Sequence, residues 1–211
     1  PRPFGNVVLD GFDFDIEYNG GNGYAALANQ LVARFAEFPS QKFYLSAAPQ
    51  CGIPDAQLSD AIAKAPFDFI WPQFYNNASC SAGLFNLPSL LFNFNSWVDV
   101  VKNSANPNAK LYIGLPASKS AANDGYYLAP SLVKPIVKVY MNLYPQTFGG
   151  IMLWEATASE GNTNNKGTYA DNMKDILLDC APAQPTTTAP ATTAPATSAP
   201  ASSAPASSAP A

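Results

Sequence analysis

The sequence predicts an α/β protein with the architecture of a TIM (β/α)8 barrel, of which five β/α units can be recognised. Short apolar runs alternate with longer segments of helical period through residues 1–180. Such alternation indicates right-handed βαβ units around a parallel sheet. Polar residues directly follow several of the predicted strands, which is where a barrel carries its active site. An open doubly wound sheet is the alternative, but no glycine-rich phosphate loop follows the first strand.

Five pairs of strand and helix can be followed along the chain. Each strand candidate is a short apolar run, and each helix candidate is longer, with apolar residues at helical spacing. In chain order the pairs are strand 6–14 with helix 23–38, strand 42–47 with helix 55–65, strand 67–74 with helix 89–104, strand 110–115 with helix 130–144, and strand 149–154 with helix 168–178. Because a complete barrel has about 250 residues, we expect about three further units before Pro1.

The composition changes abruptly after Cys180. Residues 181–211 contain only Ala, Pro, Thr, Ser and one Gln, and from Pro185 onward a proline recurs at every fifth position. A segment without aromatic or charged residues cannot bury enough apolar surface to offset the entropy of ordering. We therefore predict a barrel domain over 1–180 and a disordered, extended linker over 181–211 that is a natural acceptor of O-linked sugar.

Charge and composition exclude several classes of function. The chain has 11 Lys and Arg against 15 Asp and Glu, a net charge of −4, so it lacks the basic surplus that a nucleic-acid partner requires. The chain has no His, so imidazole can act neither as base nor as metal ligand, and we expect no metal and no cofactor. No apolar run reaches the roughly 18 to 20 residues of a membrane span.

The most informative segment is 10–17, which reads Asp-Gly-Phe-Asp-Phe-Asp-Ile-Glu. Strand side chains alternate between faces, so Asp13, Asp15 and Glu17 share one face and apolar side chains occupy the other. In a barrel the acidic face lines the interior and rises toward the mouth. Carboxylates about 6 to 7 Å apart repel in a low-dielectric interior, so we expect a shared proton or a raised pKa. We call these three side chains the carboxylate ladder.

The pattern Asp-Gly-x-Asp-x-Asp-x-Glu of 10–17 resembles the signature of family 18 glycoside hydrolases, the retaining chitinases. Two later segments are similar to the plant and fungal class III branch of that family. Residues 71–77 read Trp-Pro-Gln-Phe-Tyr-Asn-Asn and resemble its sixth-strand motif, and residues 149–154 read Gly-Gly-Ile-Met-Leu-Trp and resemble its eighth-strand motif. The resemblance covers nearly all of 1–180 as strands four to eight of the barrel.

The resemblance implies a role for each ladder residue. Glu17 is expected to protonate the glycosidic oxygen, and the substrate's own acetamido oxygen attacks the anomeric carbon, an exception to the usual two-carboxylate scheme. Asp15 is expected to bind the acetamido N–H, and Asp13 to share a proton with Asp15 from below. Tyr75 is expected to donate its hydroxyl to the acetamido carbonyl.

Further residues have binding or structural roles on the same reasoning. Gln73 and Asn76 are expected to add polar contacts, and Trp154 to offer a flat face to a pyranose ring. The resemblance also implies a cis peptide bond between Trp154 and the next residue. Asp10 lies off the acidic face, and we interpret Asp10 and the adjacent Gly11 as structural. Two acids on the last loop, Glu155 and Glu160, are interpreted as solvated charges.

Three cysteines at 51, 80 and 180 leave one thiol unpaired within the chain. The resemblance implies a Cys51–Cys80 disulfide, which is typical of an oxidising, secreted setting. Cys180 either pairs with a cysteine before Pro1 or stays free. The Asn-x-Ser sequon at Asn77 lies two residues past Tyr75, where a glycan would crowd the cleft, so we expect it to be unoccupied.

The resemblance therefore implies a secreted, monomeric endochitinase that acts on chitin or chitin oligosaccharides and is associated with a cell wall. A catalytically inactive chitin-binding lectin and an endo-β-N-acetylglucosaminidase acting on N-glycans are the alternatives. The presence of Glu17 disfavours the lectin, and the Gln-Phe-Tyr-Asn segment disfavours the glycosidase. We further expect residues 1–211 alone to be unstable and inactive, because an open sheet would expose apolar surface.

Overall fold

A computed structural model describes residues 4–18, 20–85 and 91–182 of the chain. It contains one five-stranded parallel sheet whose strands lie in chain order. The strands are β1 Gly11–Phe14, β2 Tyr44–Ala47, β3 Phe69–Ile70, β4 Lys110–Pro116 and β5 Phe148–Trp154. The helices are α1 Tyr24–Phe35, α2 Ser59–Lys64, α3 Phe94–Lys102, α4 Pro130–Leu143, α5 Ala156–Gly161 and α6 Tyr169–Cys180. The α/β prediction is confirmed, and the architecture is that of consecutive units of a β/α barrel.

The core lies between the sheet and its helices. On β4, Leu111, Ile113 and Leu115 are fully buried and alternate with Tyr112 and Gly114 on the opposite face. The same alternation on β2 buries Leu45 and Ala47 on the helix side. The other face of the sheet, which we call the inner face, carries polar and aromatic side chains. Only side chains that point to the inner face can contact the carboxylate ladder.

Strand β3 is shorter than the predicted strand 67–74, because a proline interrupts it. Pro72 has no N–H to donate to a neighbouring strand, so regular pairing stops at Ile70. The chain rejoins the sheet at Gln73, which forms isolated bridges with Gln50 and Gly114. This break turns the end of the third strand into a loop that carries site residues.

Strand β1 also begins later than predicted, at Gly11 rather than at residue 6. Gly11 lies so close to the backbone of β2 that a Cβ would collide with the carbonyl oxygen of Tyr44. The residues before it, Val7 and Val8, are more than 60% exposed at the edge of the sheet. The structural role predicted for Gly11 therefore has a direct steric reason.

The predicted helices are present with shifted ends, and one short helix was missed. Helix α2 starts at Ser59 rather than 55, because the Asp55 carboxylate accepts the backbone N–H groups of Gln57 and Leu58 in a preceding turn. The start predicted for the third helix, at 89, lies outside the described residues, and α3 begins at Phe94. The six-residue helix α5 gave no periodic signal.

The disulfide between Cys51 and Cys80 is present, with the Cα atoms 5.8 Å apart. It joins the loop after β2 to the loop after β3. Cys180 is buried and free within the described part of the chain, and its sulfur lies 3.8 Å from the Lys134 carbonyl oxygen. Across the described ranges, no helix has both the length and the hydropathy of a membrane span. The predicted linker, from residue 183 onward, lies outside the described residues.

Candidate active site

The carboxylate ladder rises from the end of β1 and is joined to the loop after β3. Gln73 donates from its amide nitrogen to Glu17 Oε1 at 2.8 Å and to Asp15 Oδ1 at 3.2 Å. Both carboxylates thus accept from the same amide, and the charge of Glu17 raises the pKa of Asp15. Two acids held this close together favour a shared proton. One amide thus aligns the upper two acids of the ladder.

Gln73 is held in place by the loop after β2. It is only 6% exposed, its backbone N–H donates to the Pro49 carbonyl at 2.8 Å, and its side chain also contacts the carbonyl of Ala48. A glutamine held by the backbone of one strand and by acids from another has a single usable orientation. The predicted polar contact from Gln73 therefore goes to the acids of the ladder.

Asp13 forms the lowest rung, and a serine holds it. Asp13 lies opposite Ser46 in the β1–β2 register, and the serine hydroxyl donates to Asp13 Oδ1 at 2.7 Å. The predicted contact between Asp13 and Asp15 is not among the hydrogen bonds of the described residues. In this conformation the Asp15 carboxylate accepts from the Gln73 amide instead.

The electrostatics agree with the expected proton sharing. Burial raises the pKa of Asp15, and the neighbouring charges of Glu17 and Asp13 raise it further. Burial also raises the pKa of Asp13, although hydrogen bonds from Ser46, the Phe14 backbone and Trp71 act in the opposite direction. All three acids nevertheless keep access to solvent.

Tyr75 lies against the ladder. Its side chain is 3% exposed, and burial, followed by the charges of Asp15 and Glu17, raises the pKa of its hydroxyl. The phenol therefore stays protonated over the whole range in which proteins work and remains a hydrogen-bond donor. The structure thus brings four of the predicted residues together: Asp15, Glu17, Gln73 and Tyr75.

Asn76 follows Tyr75 in the loop after β3, and its side-chain oxygen contacts the loop after β4. It adopts a left-handed backbone conformation, with φ of 56°, and its Oδ1 accepts the backbone N–H of Asn123 at 2.8 Å. Its carbonyl group thus connects the loop after β3 to the loop after β4. The neighbouring sequon residue Asn77 accepts the hydroxyl and the backbone N–H of Ser79 within a tight turn.

Trp154 lies at the end of β5, on the far side of the sheet from β1. It is 47% exposed and borders an open cleft of about 440 Å³ that Ser118, Ser120 and Thr157 also line. The peptide bond to Glu155 is cis, as expected. No hydrogen bond within the described residues links this cleft to the ladder, so Trp154 forms a separate part of the site.

The remaining acids near the site are structural or exposed. The Glu155 carboxylate accepts the backbone N–H groups of Thr157 and Ala158, which caps α5 and lowers the pKa of Glu155. Glu160 is exposed on that helix. The Asp10 carbonyl accepts the Tyr44 N–H at 2.8 Å, which fixes the start of β1 against β2.

Sequence reasoning missed Ser46 and Asn123. Ser46 could have been found from parity, since Leu45 and Ala47 are the apolar neighbours that face the helices and leave Ser46 on the inner face. Asn123 gave no local signal, because it acts through its backbone N–H. Within the described ranges, no cluster of three potential metal ligands occurs.

Comparison with known proteins places this arrangement in context. A family model described as "Glycosyl hydrolases family 18" matches residues 2–175. The chain is 64% identical over 190 residues to "Endochitinase A1" of Aspergillus fumigatus, covering 90% of this chain and 21% of that protein. The chain thus spans about a fifth of the length of such curated relatives.

Solved structures of an inhibitor protein and of a chitinase share this fold. A xylanase and alpha-amylase inhibitor protein from Scadoxus multiflorus is 36% identical with a TM-score of 0.64, over 84% of this chain and 59% of that chain. A chitinase from Ipomoea carnea is 30% identical with a TM-score of 0.63, over 82% of this chain and 57% of that chain. The fold alone therefore does not decide between enzyme and inhibitor.

Proposed function

The chain belongs to glycosyl hydrolase family 18, and we propose that it is part of a secreted endochitinase that cleaves β-1,4 linkages between N-acetylglucosamine units. The observation that carries the proposal is the hydrogen-bonded group of Glu17, Asp15 and Gln73 with Tyr75 beside it. The similarity to an endochitinase of Aspergillus fumigatus supports the choice of substrate and a fungal origin. The Cys51–Cys80 disulfide supports a secreted setting.

Glu17 is the general acid in this proposal. It stands at the top of the ladder, accepts the Gln73 amide hydrogen bond and keeps access to solvent. Its proton goes to the glycosidic oxygen as the bond to the anomeric carbon breaks. Glu17 then takes a proton from water in the second step, by microscopic reversibility.

Asp15 and Tyr75 orient the acetamido group of the substrate. Its carbonyl oxygen is the nucleophile, so it must lie under the anomeric carbon before the bond breaks. The Tyr75 hydroxyl donates to that oxygen, and Asp15 accepts the acetamido N–H and stabilises the positive charge of the cyclic intermediate. Asp15 must turn from the Gln73 amide toward the sugar for this contact to form.

Trp154 supplies the apolar contact. Its exposed indole offers a flat face to the C–H surface of a pyranose ring, and the hydroxyl groups of Ser118 and Ser120 line the same cleft. The cleft volume of about 440 Å³ is enough for a sugar unit. In this proposal one sugar unit stacks on Trp154, while the unit whose glycosidic bond breaks lies against Asp15, Glu17 and Tyr75.

The test compares two substrates on the intact protein. We expect soluble chitin oligosaccharides to be cut, with the new reducing end released in the β configuration, and a high-mannose glycoprotein to remain intact. Release of the glycan instead would support the endo-β-N-acetylglucosaminidase. Binding of the oligosaccharides without any cleavage would support a lectin and would contradict the proposed reaction.

A further inference from the structure

We propose that Ser46 is a positioning residue of the site, whose hydroxyl holds Asp13 in one orientation and in its ionised form so that the shared proton of the ladder stays with Asp15 and Glu17. The inference rests on the proposed function and deepens it. Ser46 belongs to β2, outside the three sequence segments that carry the family resemblance.

The register of the sheet aims the hydroxyl at its partner. Ser46 lies directly opposite Asp13, and parallel pairing of β1 with β2 continues on both sides, from Gly11 opposite Tyr44 to Phe14 opposite Ala47. The distance from Ser46 Oγ to Asp13 Oδ1 is 2.7 Å. Ser46 is only 7% exposed, so little water competes for its single O–H donor. The contact is built into the backbone pairing and does not depend on a mobile loop.

Two further donors favour the same charge state. The backbone N–H of Phe14 and the side chain of Trp71 also act on the Asp13 carboxylate. Trp71 stacks on Phe69, with ring centroids 6.1 Å apart, and meets Tyr112 edge-on at 5.6 Å. Asp13 is therefore held from its own strand, from β2 and from the end of β3.

Asp15 has the opposite surroundings. Its one side-chain amide donor, Gln73, is shared with Glu17, and the carboxylates of Glu17 and Asp13 both raise its pKa. The Asp13 carboxylate has more hydrogen-bond donors than the carboxylates of Asp15 and Glu17. A proton shared among the three acids therefore binds to Asp15 or Glu17. This asymmetry keeps the proton next to the bond that Glu17 must protonate.

No cation offsets the charge of Asp13 among the described residues. The acids and phenols on the inner side are Asp15 and Glu17 beyond β1, Tyr44 on β2, Tyr75 after β3 and Tyr112 on β4. Two lysines, Lys42 and Lys110, share the parity of this face, and the Lys110 amine donates to the Gln146 carbonyl. The amine of Lys42 lies over the Tyr44 ring, 5.2 Å from its centroid, and pairs with Asp68. Hydrogen bonds from neutral groups therefore carry the stabilisation of this carboxylate, and the loss of one has a measurable effect.

The first test is the pH dependence of kcat/KM on chitin oligosaccharides, measured on the intact protein. Removal of the hydroxyl in Ser46→Ala raises the pKa of Asp13 and moves the acidic limb of the profile up by about one pH unit. Ser46→Thr keeps a hydroxyl and retains the wild-type limb. Ser81→Ala removes a buried hydroxyl that has no contact with the ladder, and it leaves the limb in place. An unchanged limb in Ser46→Ala would overturn the proposal.

A second donor and a second readout make the test independent of any one variant. Trp71→Phe removes the indole N–H from the same carboxylate and shifts the limb in the same direction. Titration of the Asp13 side-chain carboxyl by ¹³C NMR measures its pKa without substrate, and we expect a higher value in Ser46→Ala than in wild type. Equal values would contradict the role of Ser46, whereas an inactive wild type with the shifted titration would contradict only the proposed function.

Discussion

At the scale of single residues, Asp15 is required by the proposed reaction but destabilises the folded state when it is ionised. Burial and two neighbouring acids raise its pKa above the ordinary value of 3.8. Between pH 3.8 and that raised pKa the folded state binds more protons than the unfolded state, so the free energy of unfolding falls as the pH rises through this window. Above the window the ionised Asp15 destabilises the fold.

We therefore predict that Asp15→Asn raises the melting temperature at pH 7 while it lowers activity. The gain should disappear below about pH 3, where the wild-type acid is protonated as well. Calorimetry at both pH values on the intact protein provides the measurement. Asp99→Asn, at an exposed position on α3, is the control and should change neither. A gain of equal size at low pH would contradict this explanation.

Tyr75 is the residue whose effect should be confined to the reaction. Its ring is buried, and its hydroxyl faces Asp15 and Glu17. Tyr75→Phe keeps the packing and removes one donor to the substrate, so we expect kcat to fall about 10²-fold with little change in melting temperature. Steady-state kinetics with thermal melting checks this. A large loss of stability with unchanged kcat would place Tyr75 in the core alone.

Sequence reasoning located the residues whose position follows from strand parity, and it gave no signal for contacts between distant loops. Alternation in the first strand was enough to bring Asp13, Asp15 and Glu17 to one face. The position of Asn76 could not be read in this way, because its partner is a backbone N–H 47 residues away in the chain. Ser46 is an intermediate case. Strand alternation predicts that it lies on the inner face, but it belongs to none of the sequence motifs.

At the level of elements, the order and type of the strands and helices were predictable, and their ends were not. Helix α6 matches the prediction because it begins with a capping box, in which Thr168 accepts the Asp171 N–H and the Asp171 carboxylate accepts the Thr168 N–H. The β3 prediction ran too far, because apolar residues continue through the interruption at Pro72. Gly149 and Gly150, part of the last motif, have a packing role, since the Tyr112 ring occupies the space beside them.

The disulfide between the loops after β2 and β3 is the element-scale constraint nearest to the site. Cys51 and Cys80 are 29 residues apart in the chain, and both are buried. In the chain-entropy model, closing a loop of this length contributes about 3 to 4 kcal/mol. The link also anchors the segment that carries Gln73 and Tyr75.

Replacement of both cysteines by alanine should lower the free energy of unfolding of the intact protein by about 3 kcal/mol. Urea denaturation is the measurement. A reducing agent should lower the free energy of unfolding of the wild type. It should not change that of the double variant, which lacks this bond. Equal stability of the two proteins under oxidising conditions would show that the bond contributes nothing.

At the scale of the whole molecule, the main feature is that β1 and β5 form the two edges of the sheet in the described residues. The edge beside β1 exposes large apolar side chains, each at least 40% accessible: Phe4, Val7, Val8, Phe12 and Phe38. A patch of this kind is typical of a surface that another segment or molecule covers. The five units described here therefore position the ladder without enclosing it.

We predict that residues 1–211 expressed alone do not hydrolyse chitin oligosaccharides and do not unfold cooperatively. The exposed edge should bind a hydrophobic dye and promote self-association. Circular dichroism melting, dye fluorescence and an activity assay on the same preparation provide the check. A sharp melting transition together with hydrolysis would contradict the prediction and would show that the open sheet is sufficient.

The most direct measurement of the central claim is the hydrolysis of chitin oligosaccharides by the Glu17→Gln variant of the intact protein. Glutamine keeps the size and a hydrogen-bonding oxygen for Gln73 but has no proton to give to the leaving group. We expect cleavage to fall by about 10²- to 10⁴-fold with oligosaccharide binding retained, while Glu160→Gln, at an exposed acid on α5, stays fully active. Wild-type cleavage by Glu17→Gln would contradict the account.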